Sequence, residues 1–117
     1  MQNDVNDYIR EATQTVVELL VAGKYTELAS LTGNVRLNAS EIEEAITSFP
    51  KKITQPAEDA WSKIDIVKVK NSVVPTYSVR FDLWAENQLS DLSLEMTLIE
   101  VNPKQRLRIE IDNIHVL

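Results

Sequence analysis

The stretch DLSLEMTLIEVNPKQRLRIEIDNIHVL (Asp91–Leu117) decides the fold. Leu92, Leu94, Met96 and Leu98 alternate with Asp91, Ser93, Glu95 and Thr97. Beyond Asn102-Pro103-Lys104-Gln105, the residues Leu107, Ile109 and Ile111 alternate with Arg106, Arg108, Glu110 and Asp112. Period-two alternation places one apolar face on a core and one charged face in water, as in a half-buried antiparallel sheet. The apolar face carries no polar group, which argues against a catalytic pocket beneath it. In the last strand the apolar positions change from odd (Leu107, Ile109, Ile111) to even (Ile114, Val116). One extra residue near Asp112-Asn113 restores the phase, so a β-bulge is expected there.

Further strands are expected upstream, giving four in all at about 63–70, 75–85, 91–101 and 105–116. Turns fall at Asn71-Ser72, at 86–90 and at Asn102–Lys104, where Asn, Ser and Pro supply the turn chemistry. In the second strand Tyr77, Val79, Phe81 and Leu83 point inward, while Ser78, Arg80, Asp82 and Trp84 point outward. The first half of the chain is helical. Val5, Tyr8, Ile9, Ala12, Val16, Leu19 and Leu20 recur at helical spacing, from a cap at Asn3 or Asp4 to about Ala22. Gly23 stands where a helix C-terminus favours a left-handed residue. A short second helix runs from Tyr25 to Leu31, closed by Thr32-Gly33, and Val35-Arg36-Leu37 is read as a short strand. Asn38 and Ser40 each precede a Glu by three residues, the spacing of a capping box. A third helix follows, burying Ile42, Ala45, Ile46 and Phe49 and stopped by Pro50. Residues 51–62 form a connection with Pro56 and Trp61.

Helices followed by a strand meander make an α+β plan in one domain over residues 1–117. Three helices packed on a curved four-stranded antiparallel meander is the expected architecture. The same order of elements is that of an NTF2-like cone, which stays open as an alternative to a plain helix layer on a sheet.

The 117 residues are 44% hydrophobic and 26% charged, with a net charge of −6 and no cysteine. These are ordinary proportions for a soluble domain with one core. The acidic balance argues against nucleic acid, whose binding rests on Lys and Arg meeting phosphates, and against anionic membranes. It suits a basic protein partner, because complementary charge speeds encounter. Asn3, Asp4 and Asp7 give a polar, acidic opening unlike an export signal, so a cytoplasmic protein is expected. The two glycines both lie at helix ends, leaving no phosphate loop.

Ser90-Asp91-Leu92-Ser93-Leu94-Glu95 and Ile109-Glu110-Ile111-Asp112-Asn113-Ile114-His115-Val116-Leu117 resemble the closing segments of a family of small bacterial proteins. In that family a Ser-Asp-Leu-Thr-Leu-Glu strand precedes an Asp-Asp-Leu-His-Val-Leu tail. Val21-Ala22-Gly23-Lys24-Tyr25, Pro56 with Trp61, and Asp82-Leu83-Trp84 are similar to it as well. The resemblance spans nearly the whole chain and brings no activity with it. Asn113 departs from the second Asp of that tail, so any ligand or base role of that Asp is in doubt here.

No catalytic set, cofactor site or metal site is expected: the single His and scattered carboxylates lack ligand spacing. The outward sheet face is the better candidate. It carries Arg80, Asp82, Trp84, Glu95, Arg106, Arg108, Glu110 and Asp112. Opposite charges across strands explain much of that composition as a solvated face. An exposed Trp beside Arg is instead the composition of an interface hot spot. Glu41, Glu43 and Glu44 at the start of the third helix form a second acidic patch, with Glu41 and Glu44 as further partner-binding candidates that suit a basic cleft. Helix stability alone accounts for Glu41 and Glu43, and the two readings are compatible.

The expected function is a non-enzymatic protein-binding module. Its sharper form is an immunity-type inhibitor that covers the active site of a toxin, a basic nuclease. An NTF2-like small-molecule-binding protein or lyase/isomerase is the first alternative, with Asp65, Tyr77, Trp61 and His115 around its pocket. The second alternative is a homodimeric structural subunit.

Overall fold

A computed structural model describes residues 5–101 and 107–117. The proposed cap at Asn3 or Asp4, the turn at Asn102–Lys104 and Arg106 lie outside the described residues. Three helices come first: α1 (Val5–Ala22), α2 (Tyr25–Leu31) and α3 (Ala39–Thr47). Strand β1 (Ile53–Thr54) and a 3₁₀ helix (Glu58–Lys63) follow, then β2 (Asp65–Lys68), β3 (Thr76–Ala85), β4 (Gln88–Glu100) and β5 (Leu107–Val116). The architecture is α+β, with one five-stranded antiparallel sheet.

Local chemistry sets the helix ends. Gly23 and Gly33 both have positive φ, 72° and 68°. Each closes its helix with a paired reverse hydrogen bond: Lys24 N–H donates to Leu19 O at 2.9 Å and Asn34 N–H donates to Ala29 O at 2.8 Å. At α3 the capping box forms on Asn38, not Ser40. Asn38 Oδ1 accepts from Glu41 N–H at 2.9 Å, and Glu41 Oε1 accepts from Asn38 N–H at 3.0 Å.

Strands β3, β4 and β5 lie side by side in chain order. Tyr77, Val79, Phe81, Leu83 and Ala85 share the inner face with Leu92, Leu94, Met96 and Leu98 and with Ile109, Ile111 and Ile114. These rows join Ile9, Val16, Val17, Leu20, Leu28, Ile42 and Ile46 of the helices in one hydrophobic cluster. Each fully buried Leu or Ile contributes about 1.5–3 kcal/mol of transfer free energy, which is what fixes strand parity.

The expected bulge is present. Glu95 pairs with Asn113 and Met96 with Ile111, leaving Asp112 as the extra residue of β5. Asn113 Oδ1 accepts from Ile114 N–H at 2.9 Å, a bond the family's Asp makes equally well. A second irregularity lies in β4. Asp82 pairs with Ser93 but Trp84 pairs with Leu89, so β4 spends two more residues than β3. Ser90 stitches this bulge: its hydroxyl donates to Leu83 O at 2.6 Å and accepts from Leu92 N–H at 3.2 Å.

Three expectations change. Val35–Leu37 is a bend rather than a strand, and Arg36 within it has φ 69°. Strand β4 begins earlier than position 91, because the turn is only Glu86-Asn87, both at positive φ. That conformation matches the twist of a two-residue hairpin. The connection before β2 also contains β1, which clasps this turn: Glu86 N–H donates to Lys52 O at 2.9 Å and Asn87 N–H to Thr54 Oγ1 at 2.9 Å. No helix among the described residues is long and apolar enough to cross a membrane.

Leu94→Ala in the central strand is expected to cost about 2–5 kcal/mol, and Asn38→Ala about 0.5–2 kcal/mol. Urea unfolding followed by circular dichroism checks both. A smaller loss at Leu94 than at Asn38 contradicts the packing described.

Candidate functional site: the open face of the sheet

Helices and core occupy one face of the sheet, and the other face carries the polar rows. Across it, Arg80 pairs with Glu95, Asp82 with Ser93, and Ser93 in turn with His115. Thr97 faces Glu110, and Ile99 faces Arg108.

At the β5 side the face is tied together by Arg36. Its Nε lies 2.8 Å from Asp112 Oδ1 and 3.4 Å from Glu110 Oε1. Arg108 Nη2 binds Glu110 Oε2 at 2.8 Å, and Thr97 Oγ1 donates to Asp112 Oδ2 at 2.7 Å. Glu110 is only 6% exposed, so two guanidinium groups flank a buried carboxylate. Bending through residues 35–37 is what brings Arg36 to these carboxylates. Sequence reasoning missed Arg36, and no local pattern marks a contact spanning so much chain.

Nearer β3, His115 Nε2 lies 3.0 Å from Glu95 Oε1. Arg80 Nη2 lies 3.9 Å from Asp65 Oδ2, both exposed, a weak and screened pair. Between them sits Ser93, fully buried, with an Oγ that has no hydrogen-bond partner among the described residues. Asp82 Oδ1 and Trp84 Nε1 are also closed off from solvent and without a partner among the described residues. Each such group costs about 1–3 kcal/mol until something satisfies it. Ser93 and His115 are in register, but no hydrogen bond joins Ser93 Oγ to a base, so the nucleophile–base contact of a hydrolase is not formed.

Of the sequence-derived set, Arg80, Asp82, Trp84, Glu95, Arg108, Glu110 and Asp112 do share the open face. Glu110 and Asp112 are engaged in the Arg36 cluster rather than free. Trp84 is half-buried and packs against the core cluster, so it is not the fully exposed ring expected. Glu41 and Glu44 belong to the helix layer, with Glu41 spent on its cap.

The alternative pocket does not assemble. Asp65 is exposed on β2, because Ile64 and Ile66 take the inward positions. His115 faces outward with Ser93. Trp61 stacks on Phe81 with centroids 5.0 Å apart and planes at 9°. Tyr77 is buried on the inner face beside Glu100. Burial, and then the Glu100 carboxylate, raise its hydroxyl pKa above the usual 10.0. A cleft of about 340 Å³ opens on the helix side, between Leu20, Tyr25, Phe49, Lys52 and Ile53. Among the described residues, no group of three or more His, Asp or Glu side chains is arranged to hold a metal ion.

Two outcomes follow. Arg36→Ala leaves Glu110 with Arg108 alone and is expected to cost about 1–3 kcal/mol in urea unfolding. Tyr77 keeps its proton more firmly in the folded state than in the unfolded one. That stability is complete below pH 10.0 and is lost as pH rises through the raised pKa. Tyr77→Phe should therefore flatten the alkaline fall in stability, read from unfolding midpoints on either side of that pH.

Residues 17–117 match the family described as a domain of unknown function, DUF7668, and the chain belongs to that family. No curated protein matches the chain. No solved structure matches it either.

Proposed function

We propose that this DUF7668 protein is a protein-binding module that docks a basic partner on the open face of its sheet. In its sharper form the protein is an immunity-type inhibitor in the cytoplasm, covering the substrate groove of a basic nuclease toxin. The observation that carries the docking reading is Trp84, half-buried on the open face in one row with Arg80 and Asp82, with Glu95 opposite Arg80. A partner seated there gains area on Trp84, as hot spots do. Asp82, Asp91 and Glu95 supply charge complementary to a basic surface, which raises the association rate.

The pairing of two copies is a second reading, favoured by a different observation. Strand β2 pairs only with β3 among the described strands, and Val67 on it is 57% exposed. An open strand with an exposed apolar residue is a site where another strand adds.

Affinity capture of the tagged protein from its native cell tests the proposal. A stoichiometric basic protein is expected, with affinity that falls as salt rises. Glu95→Lys should weaken it by about tenfold or more, chiefly through slower association, with the circular dichroism spectrum unchanged. Recovery of the bait alone, or of a self-complex of doubled mass, sinks the docking of a basic partner.

A further inference from the structure

Strand β2 forms the outer edge of the sheet beside Tyr77 to Arg80, and its register determines which backbone groups that edge presents. Asp65 pairs with Arg80 and Lys68 with Tyr77. The pairing runs on to Val69, whose N–H donates to Thr76 O at 2.9 Å. In an antiparallel pair, every second residue exchanges ladder bonds with its partner. Asp65, Val67 and Val69 therefore turn their N–H and C=O toward β3, and Ile66 and Lys68 turn theirs away from it. Among the described strands, β2 pairs with β3 alone. The outward groups of Ile66 and Lys68 are a template for one more strand.

Side chains along this edge are sorted by face. Val67 and Val69 lie on the open face, in line with Ser78 and Thr76, and both are exposed. Ile66 and Lys68 lie on the inner face, in line with Val79 and Tyr77. Ile66 packs on the core cluster, whereas Lys68 is exposed. Past the end of β2 the chain turns at Asn71, with φ 63°. That turn leaves a hollow of about 590 Å³ lined by Lys68, Val69, Lys70, Ser72, Val73 and Pro75. Neither Lys68 nor Lys70 forms an ion pair among the described residues. Residues 63–75 hold three lysines and one aspartate in a chain of net charge −6.

We infer that this edge receives an extended acidic segment of a partner protein, added to β2 as an antiparallel strand. The segment's backbone bonds to the N–H and C=O of Ile66 and Lys68. Its side chains alternate: acidic ones lie on the side of Lys68 and the hollow, and apolar ones lie beside Val67 and Val69. Lysines on an edge strand guard it against indiscriminate pairing, and they admit a strand of opposite charge. A second copy brings its own Lys68 and Lys70 and leaves both pairs without counter-charge. The phosphates of a lipid surface offer acceptors only, which match the N–H groups of the edge and not its carbonyls. This edge is separate from the row of Trp84, so the inference stands whether or not a basic partner docks on the open face.

Titration of ¹⁵N-labelled protein with a capped hexapeptide of alternating Glu and Val tests this. The N–H signals of Ile66 and Lys68 should move downfield saturably, while those of Asp65 and Val67, already bonded to β3, move less. In an antiparallel strand the Glu residues are the ones that bond to the edge. N-methylation of the Glu amides should therefore abolish binding, and N-methylation of the Val amides should leave it. Lys68→Glu, at an exposed position, should weaken the peptide about tenfold with the fold unchanged. A hexapeptide of alternating Lys and Val should not saturate. The absence of saturation, binding that survives methylation of the Glu amides, or equal binding of the Lys peptide each overturns the assignment. Shifts at Ile66 and Lys68 that grow with protein concentration alone, with a doubled mass, overturn it in favour of a second copy. Shifts caused by phosphatidylserine vesicles and not by the Glu peptide overturn it in favour of a lipid surface.

Discussion

The bulge at Asp112 is the constraint on which the rest of the structure leans. Strand β5 has to bury Ile109 and Ile111 before it and Ile114 after it on one face. An uninterrupted strand cannot do that, because each added residue flips the side chain to the other side. Placing the extra residue at Asp112 also turns a carboxylate toward Thr97 and Arg36. The correction of phase and the polar clamp at the sheet's edge are thus one feature. Through Arg36 the loop after α2 is fastened to the open face, so the helix layer is held by more than its apolar contacts.

Much of this was legible in the residues. The inner rows of β3, β4 and β5, the α1 stop at Gly23 and the bulge all follow from periodicity, a property of nearby residues. Strand β1 was not legible, since two residues carry no period; what makes it a strand is the Glu86-Asn87 turn it clasps. Val35–Leu37 looked like a strand because of its flanking apolar residues, whereas the backbone bends there to deliver Arg36. On the open face, residue types were readable and relations were not. Nothing local says that Asp82, Ser93 and His115 fall in one line, or that Glu110 is buried while Arg108 is not.

The two segments that carry the family resemblance meet in space. Leu92 pairs with Val116 and Ser93 with His115, and Leu117 N–H donates to Asp91 O at 3.1 Å. Ser90 within the first segment holds the β4 bulge opposite Asp82 to Trp84. The motif therefore has a structural account, in which the Ser-Asp-Leu segment provides the irregular strand and the last residues of β5 brace it. Trp84 and Asp82, from the third similar segment, stand at the point those two create.

The order of the elements has a consequence for synthesis on the ribosome. The helices, with Ile9, Val16, Leu20 and Ile42 in their apolar stripes, emerge first, and the strands that cover them emerge last. At about 5–20 residues per second, those stripes spend several seconds without their covering sheet. The nascent helices are short and apolar on one side, which is the state that holdase chaperones recognise. Emergence of β5 then completes the core and the Arg36 clamp in the same step.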